Sequence, residues 1–179
     1  MPSYVAFLRA VNVGGRFVKM ADLRAALSDN GFGDVETHIQ SGNVRVTSSL
    51  RSVPKVSGEL HRVLSGWAGF DVPAIVRTPA QLSTLMAAID ALPSLHGTES
   101  RRYVAFASAP VPAAATALLD GWDQPGERAR VIGADVVADL TVDFHKLKLT
   151  NTRIEKITGL TTTWRDVKVV RAIAEKWGS

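Results

Sequence analysis

Three short segments of the sequence combine the glycine, amide, hydroxyl and cationic groups that can bind an anion. They are LRAVNVGGR at residues 8–16, QSGN at residues 40–43 and KLKLTN at residues 146–151. Glycine-rich turns and helix N-termini direct backbone N–H groups at negatively charged ligands. Lysine and arginine add positive charge at such sites. The three segments therefore predict a polar, anion-accepting site, provided that folding brings them together.

The first segment lies between a predicted strand and a predicted helix. Its glycines would let backbone N–H groups point at an anion or into solvent. The alternative is a strand-to-helix turn that simply needs glycine, and the sequence leaves both interpretations open. The candidate ligand-binding residues of this segment are Arg9, Asn12, Gly14 and Gly15.

The second segment lies between two short strand patterns and is typical of a hairpin turn, because glycine and asparagine tolerate positive φ. Its amides could also exchange hydrogen bonds with a ligand. Ser41 is a candidate nucleophile, although no histidine is placed by the sequence as its base and Lys148 would have to be brought near by folding. The candidate ligand-binding residues are Gln40, Ser41, Gly42 and Asn43.

The third segment precedes a predicted helix. Thr150 and Asn151 can cap that helix, which is the structural interpretation of the segment. A helix N-terminus flanked by Lys148 and Thr150 is also suited to an anion. The candidate ligand-binding residues are Lys148, Thr150 and Asn151.

Most other signatures of chemistry are missing from the sequence. It contains no cysteine, which excludes disulfides, thiolate nucleophiles and thiolate metal sites. It also lacks a phosphate loop, a dinucleotide-binding glycine turn, a serine elbow and a paired-histidine zinc motif. The four histidines, including His96, are scattered. No metal and no cofactor is therefore predicted.

The pattern of elements predicts an α+β fold with two ferredoxin-like halves from an internal duplication. The first half spells β-α-β-β-α-β, the split order of ferredoxin-like folds. The second half begins with YVAF at residues 103–106, which repeats YVAF at residues 4–7, and continues with a helix and two strands. We predict an N-terminal subdomain over residues 1–92 and, after a linker at residues 93–100, a C-terminal βαββ subdomain over residues 101–179. Its tail is predicted to include a helix from Arg165 to Trp177.

The net charge of +4 is unevenly distributed. Residues 144–179 hold eight lysines and arginines against three acidic residues, whereas the rest of the chain is nearly neutral. This excess could mark an anionic partner or a solvated helix face. The N-terminus does not resemble a signal peptide, and no apolar run is long enough to span a bilayer. The sequence therefore predicts a cytoplasmic protein without a membrane partner, and it does not indicate an oligomeric state.

The segments LRAVNVGG, IQSGNV and KLTNTRIEK resemble the hallmark segments of the uncharacterised domain-of-unknown-function family 1697. The family patterns are similar to LRGINVGG, IQSGNV and KLTN followed by IEK. The resemblance implies a two-part α+β fold and no established activity. Besides the candidates above, the matching positions include Glu155 and Lys156.

The sequence departs from the family pattern at two places. Residue 10 is alanine where the family usually has glycine, which suggests little need for a close backbone approach there. Trp164-Arg165 stands where such proteins usually carry an Arg-Asn pair. Any function that needs that pair would depend on Arg165 reaching the same point.

These observations favour the binding of an anionic small molecule, phosphate-bearing or nucleotide-like, in a polar cleft between the two halves. RNA or DNA binding is an alternative that the sequence favours less, because no aromatic RNA-binding signature is present. Catalysis by Ser41 or Lys148 is a second alternative. A structural or partner-binding role, in which the polar segments only lock the halves together, is a third.

Overall fold

The computed structural model describes residues 1–93 and 100–178. Within these ranges the chain folds as a mixed α+β protein with two antiparallel sheets and six α-helices. His96 and all but the ends of the predicted linker at residues 93–100 lie outside them. No helix in the described part of the chain is long and apolar enough to cross a membrane. The chain divides into two compact units, a first unit of Met1–Leu82 with the end of the chain from Lys176, and a second unit of Ser83–Glu175.

The first unit contains a four-stranded sheet and its helices. Every adjacent pair of strands is antiparallel, in the order β2-β3-β1-β4. The elements are β1 (Ser3–Leu8), α1 (Met20–Asp29), β2 (Gly33–His38), β3 (Asn43–Thr47), α2 (Val53–Ala68), β4 (Ala74–Arg77) and the beginning of α3 (Pro79–Ala91).

The helices of the first unit follow from apolar spacing and capping. Helix α2 buries the stripe Val56, Leu60, Val63 and Leu64, which recurs at three- and four-residue intervals. The Oγ of Ser52 accepts a hydrogen bond from a backbone N–H of the first turn of α2 at 3.4 Å, as a side-chain N-cap does. These side chains pack against the apolar residues of β1, β3 and β4 in one core.

The second unit contains a five-stranded sheet in the order β6-β7-β8-β5-β9, again antiparallel throughout. A 3-10 turn at Phe144–Lys146 precedes α5. The elements are β5 (Arg101–Ala107), α4 (Ala113–Asp120), β6 (Asp123–Gln124), β7 (Glu127–Ile132), β8 (Asp135–Leu140), α5 (Asn151–Thr158), β9 (Thr162–Asp166) and α6 (Val167–Trp177).

Strand β9 corrects the prediction for the tail. The sequence predicted a helix from Arg165, but residues 162–166 pair with β5 and the helix begins at Val167. The threonines and the tryptophan of β9 suit a half-buried strand. Thr162 is fully buried in this position, so pairing with β5 decides the conformation of the segment.

Candidate functional site

A cavity of about 710 Å³ opens on the first unit where the loop after β1 meets the start of α1. Asn12 and Phe17 of that loop line it, together with Lys19 and Arg24 at the beginning of α1. Gln40, from the hairpin turn between β2 and β3, completes the wall. The first two polar segments of the sequence therefore meet at this cavity.

The loops at the cavity adopt left-handed backbone conformations. Gly14 and Gly15 have φ values of 57° and 82°, as glycine permits. Ala10, Asn12 and Ile39 also have positive φ, at 60°, 56° and 52°. Such conformations are costly for residues with a Cβ, least so for asparagine, and they tend to cluster at functional sites. The positive φ at residue 10 gives a physical reason why glycine is usual at this position in proteins with the resembling pattern. The expectation that residue 10 needs no close backbone approach stays a prediction.

Asn12 fastens the two loops together. Its Nδ2 donates a hydrogen bond to the carbonyl oxygen of Gln40 at 2.7 Å, and its Oδ1 accepts one from the backbone N–H of Val18 at 2.8 Å. Both polar atoms of the side chain are thus used within the protein. Asn12 therefore positions the cavity walls, and the charged groups of the cavity belong to Lys19 and Arg24.

The hairpin turn is shaped by glycine and a buried amide. The N–H of Leu8 donates to the carbonyl oxygen of Gly42 at 2.8 Å, and a Cβ on Gly42 would lie 3.0 Å from the Leu8 Cβ. Asn43 is fully buried, and its Nδ2 donates to the carbonyl oxygen of His38 and to the Oγ of Ser41, each at 3.0 Å. Gly42 and Asn43 therefore hold the turn that places Gln40 at the cavity.

Two cations stand at the start of α1. Lys19 is the N-cap residue, its side chain is exposed, and it makes no capping hydrogen bond. Arg24 is half-buried and donates from Nη1 to the Oγ1 of Thr37 at 2.6 Å, which fixes the guanidinium at the cavity wall. Asp22 lies in the first turn of α1 but is not a lining residue. The cavity thus combines positive charge with the N-terminal end of a ten-residue helix.

The other candidate residues of the first segment do not line the cavity. The backbone N–H of Arg9 donates to the carbonyl oxygen of Pro73 at 2.9 Å, at the end of β1. The guanidinium of Arg16 lies 5.5 Å from the centroid of the Phe70 ring, within the range of a cation–π contact. Gly14 and Gly15 are exposed, and no atom lies within 4 Å of a Cβ built on either. These residues shape the loop that carries Asn12.

The third segment lies in the second unit, where a buried carboxylate binds it. Glu127 accepts hydrogen bonds from the backbone N–H of Lys148 at 2.6 Å and of Leu149 at 2.8 Å. The Trp122 Nε1 donates to the same carboxylate at 3.2 Å. The Lys148 Nζ donates to the Oε1 of Gln124 at 3.1 Å. The backbone amides of this segment therefore already have an internal anion, which the sequence analysis did not identify.

The remaining residues of the third segment join α5 to β9. The Oγ1 of Thr150 accepts a hydrogen bond from the N–H of Arg153 at 3.2 Å, so Thr150 is the N-cap, as predicted. Asn151 donates to the carbonyl oxygen of Thr162 at 3.1 Å and accepts from its hydroxyl at 2.7 Å. The Oε1 of Glu155 accepts from the N–H of Thr162 at 2.8 Å. Ligand binding by Lys148, Thr150 and Asn151 stays a prediction.

The sequence analysis identified two of the eight lining residues, Asn12 and Gln40, and missed six, among them Phe17, Lys19 and Arg24. They follow the glycine loop but belong to no motif, and a phenylalanine ahead of a helix is ordinarily buried. Phe17 is instead 78% exposed. A signal was nevertheless present, because two cations flank the predicted start of a helix that directly follows a glycine loop.

Comparison with known proteins identifies the family of the chain and its fold. A family model described as "Protein of unknown function (DUF1697)" matches residues 1–136, which include both segments at the cavity and end before the third. The fold is similar to that of the conserved bacterial protein SP0830 from Streptococcus pneumoniae, with a TM-score of 0.75 and 19% identity over 100% of this chain and 99% of that one. No protein of curated function matches the sequence. The chain therefore belongs to the DUF1697 family, as its three hallmark segments predicted.

Proposed function

We propose that the first unit binds an anionic, phosphate-bearing small molecule in the cavity at the start of α1. The observation that carries the proposal is the convergence of Lys19, Arg24 and the first turn of α1 on one cavity of about 710 Å³. That volume falls within the range of small-molecule sites. The proposal uses the first two polar segments of the sequence and does not depend on the third.

The electrostatics of α1 support an anion at this place. The first N–H groups of a helix have no partner within the helix, and the dipole makes that end positive. No side chain caps α1 at Lys19. A phosphate oxygen could therefore accept from these N–H groups while Lys19 and Arg24 supply the countercharge.

The cavity is also preorganised for binding. Asn12 holds the hairpin turn at the carbonyl of Gln40 and the loop at Val18, so the wall does not have to be ordered by the ligand. A ligand binds more tightly when no free energy is needed to order the loops of its site. The Oγ of Ser41 accepts a hydrogen bond from Asn43, the Nζ of Lys148 donates to Gln124, and neither residue lines the cavity. These contacts do not favour catalysis by either residue.

The test is calorimetric titration of the protein with inorganic pyrophosphate. We expect binding that weakens about tenfold or more when Lys19 or Arg24 is replaced by alanine, because one charge-assisted hydrogen bond contributes about 1.5–3 kcal/mol. Lys156→Ala is the matched control, since it removes the same charge from an exposed lysine of α5 that does not line the cavity. Equal affinities in all four proteins would refute the proposal.

We further infer that the two units derive from a duplicated ferredoxin-like βαββαβ element. The order β2-β3-β1-β4 of the first sheet is matched by β7-β8-β5-β9 of the second, with β6 added at one edge. In both units a helix follows the first and the third strand of the set. The repeated tetrapeptide YVAF occupies β1 in one sheet and β5 in the other.

Two buried arginines add independent support for the duplication. Arg77 on β4 pairs with Val5, and Arg165 on β9 pairs with Val104. Both valines are the second residue of the repeated tetrapeptide YVAF. Each arginine is 7% exposed. Each donates from Nη1 to the carbonyl oxygen of the residue before it, at 2.7 Å and 2.8 Å respectively. Burial lowers the pKa of Arg165 to about 10. An experimental structure in which superposed units do not align these two arginines would contradict the inference.

A further inference from the structure

We infer that the ligand of this cavity carries a planar ring beside its anionic group, as a mononucleotide does. The inference rests on the proposed function and names the class of molecule that the same site selects. Its observation is Phe17, a cavity-lining residue with 78% of its surface exposed. Exposed phenylalanines are uncommon, and one placed beside the cations of a binding site offers a face on which a ring can stack.

The backbone at Phe17 is fixed close to the proposed anion position. The next residue, Val18, donates its N–H to the Asn12 Oδ1 at 2.8 Å, and the residue after that, Lys19, is the N-cap of α1. The Cα atoms of residues 17 and 19 are at most about 7 Å apart, given the reach of an extended chain. A ligand whose ring and phosphate are separated by a short linker would therefore contact Phe17 and Lys19 together.

Gln40 provides a way to recognise the edge of the ring. Its side chain is exposed, and no hydrogen bond of that amide occurs among residues 1–93 and 100–178. An amide offers both donors and an acceptor, which is what the hydrogen-bonding edge of a nucleobase requires. Because Asn12 holds the Gln40 carbonyl at 2.7 Å, the side chain projects from a fixed point of the cavity wall.

A ligand without a ring would use only part of this wall. A sugar phosphate or an inorganic phosphate would meet Lys19, Arg24 and the N-terminus of α1 but would leave Phe17 in water. A nucleoside without phosphate would meet Phe17 and Gln40 but leave both cations uncompensated. A nucleoside monophosphate would contact Phe17, Gln40 and both cations at once. The cavity wall should therefore bind it more tightly than a sugar phosphate or a nucleoside.

The test compares four nucleoside 5′-monophosphates with ribose 5-phosphate and adenosine, each titrated calorimetrically into the full chain. At least one monophosphate is expected to bind about 5- to 150-fold more tightly than ribose 5-phosphate, the range measured for one base stacked on one aromatic side chain. In Phe17→Ala this ratio should fall towards one while the affinity for ribose 5-phosphate stays the same. Gln40→Ala should reduce the preference among the four bases.

Leu118→Ala is the matched control, because Leu118 is 63% exposed and lies on α4 in the second unit. It should leave every affinity unchanged. If ribose 5-phosphate binds as tightly as the best monophosphate and both depend on Lys19, the ring inference is overturned and anion binding stands. If no phosphate-bearing ligand binds, or if binding ignores Lys19 and Arg24, the proposed function fails and the inference with it.

Discussion

Replacing Asn12 by alanine should detach the loop after β1 from the hairpin turn between β2 and β3. The substitution removes the donor to the Gln40 carbonyl at 2.7 Å and the acceptor for the Val18 N–H at 2.8 Å. It also places a Cβ without a compensating amide at a φ of 56°. Both effects act within the first unit, and both enlarge the conformational freedom of the cavity wall.

The expected decrease in the free energy of unfolding is the sum of two lost hydrogen bonds and one backbone penalty. Two hydrogen bonds at a partly exposed site contribute about 0.5–1 kcal/mol each. A left-handed conformation costs alanine about 1 kcal/mol more than it costs asparagine or glycine. Asn12→Ala should therefore lower the free energy of unfolding by about 2–3 kcal/mol. Asn12→Gly loses the same hydrogen bonds without the conformational penalty, so it should lower the free energy of unfolding by about 1 kcal/mol less than Asn12→Ala does.

The assay is urea unfolding followed by pulsed hydrogen–deuterium exchange, which reports the first unit separately from the second. Asn30→Ala is the matched control, because the Asn30 side chain makes one hydrogen bond within the described part of the chain, to the Ala26 carbonyl oxygen, and its φ is negative. Asn30→Ala should lower the free energy of unfolding by no more than about 1 kcal/mol. If Asn12→Ala and Asn12→Gly unfold at the same urea concentration, the backbone argument is wrong. If both unfold with the wild type, Asn12 does not hold the loops.

Three further predictions concern stability. Ala10→Gly should stabilise the first unit by about 1 kcal/mol in urea unfolding, because glycine adopts the φ of 60° without a Cβ clash, and any destabilisation would contradict this. Glu127→Ala should destabilise the second unit by about 3 kcal/mol, since three N–H groups lose their acceptor; a change below about 1 kcal/mol would show that these bonds are not formed. The hydrogen bond from Arg171, against the opposing effect of burial, lowers the pKa of Asp90. The stability that the Arg171–Asp90 pair adds is therefore complete above the unfolded pKa of about 4 and is lost as the pH falls through the lower folded pKa. The stability advantage of the wild type over Arg171→Ala should be present at pH 6 and should shrink steadily below about pH 4. An advantage that does not change with pH would refute the pairing.

Much of the fold could be predicted because local patterns and tertiary packing agree. The apolar residues of α2 recur at helical spacing from Val53 to Trp67, which predicts one buried face of a helix. The members of this stripe before Trp67 are buried or partly buried, and Trp67 is 40% exposed. Threonine followed by proline, as at Thr78 and Pro79, is typical of a helix start. Helix α3 begins at Pro79, and the Thr78 Oγ1 accepts a hydrogen bond from the backbone N–H of Gln81 at 3.2 Å. Capping residues and apolar stripes involve residues within one or two helical turns, so they can be recognised in the sequence.

Strand β9 could not be predicted in the same way. Its five residues run directly into α6 without a turn, so the local pattern does not separate a strand from the helix that follows. Its conformation depends on pairing with β5, for example between Phe106 and Thr163, which are far apart along the chain. Such pairing is a tertiary effect that overrides local propensity.

The α+β class, most of the elements and the family could be inferred from the amino-acid sequence alone, because these depend on periodicity, capping and short motifs. The sequence also identified Asn12 and Gln40 as candidates at a polar site. The folded arrangement was needed to show that Asn12 holds two loops together and that Phe17, Lys19 and Arg24 line the cavity. It was also needed to show that Glu127 accepts from the backbone amides of Lys148 and Leu149. The physical reason is that the exposure and the hydrogen-bond partner of a side chain depend on residues distant along the chain, which residue type and spacing do not encode.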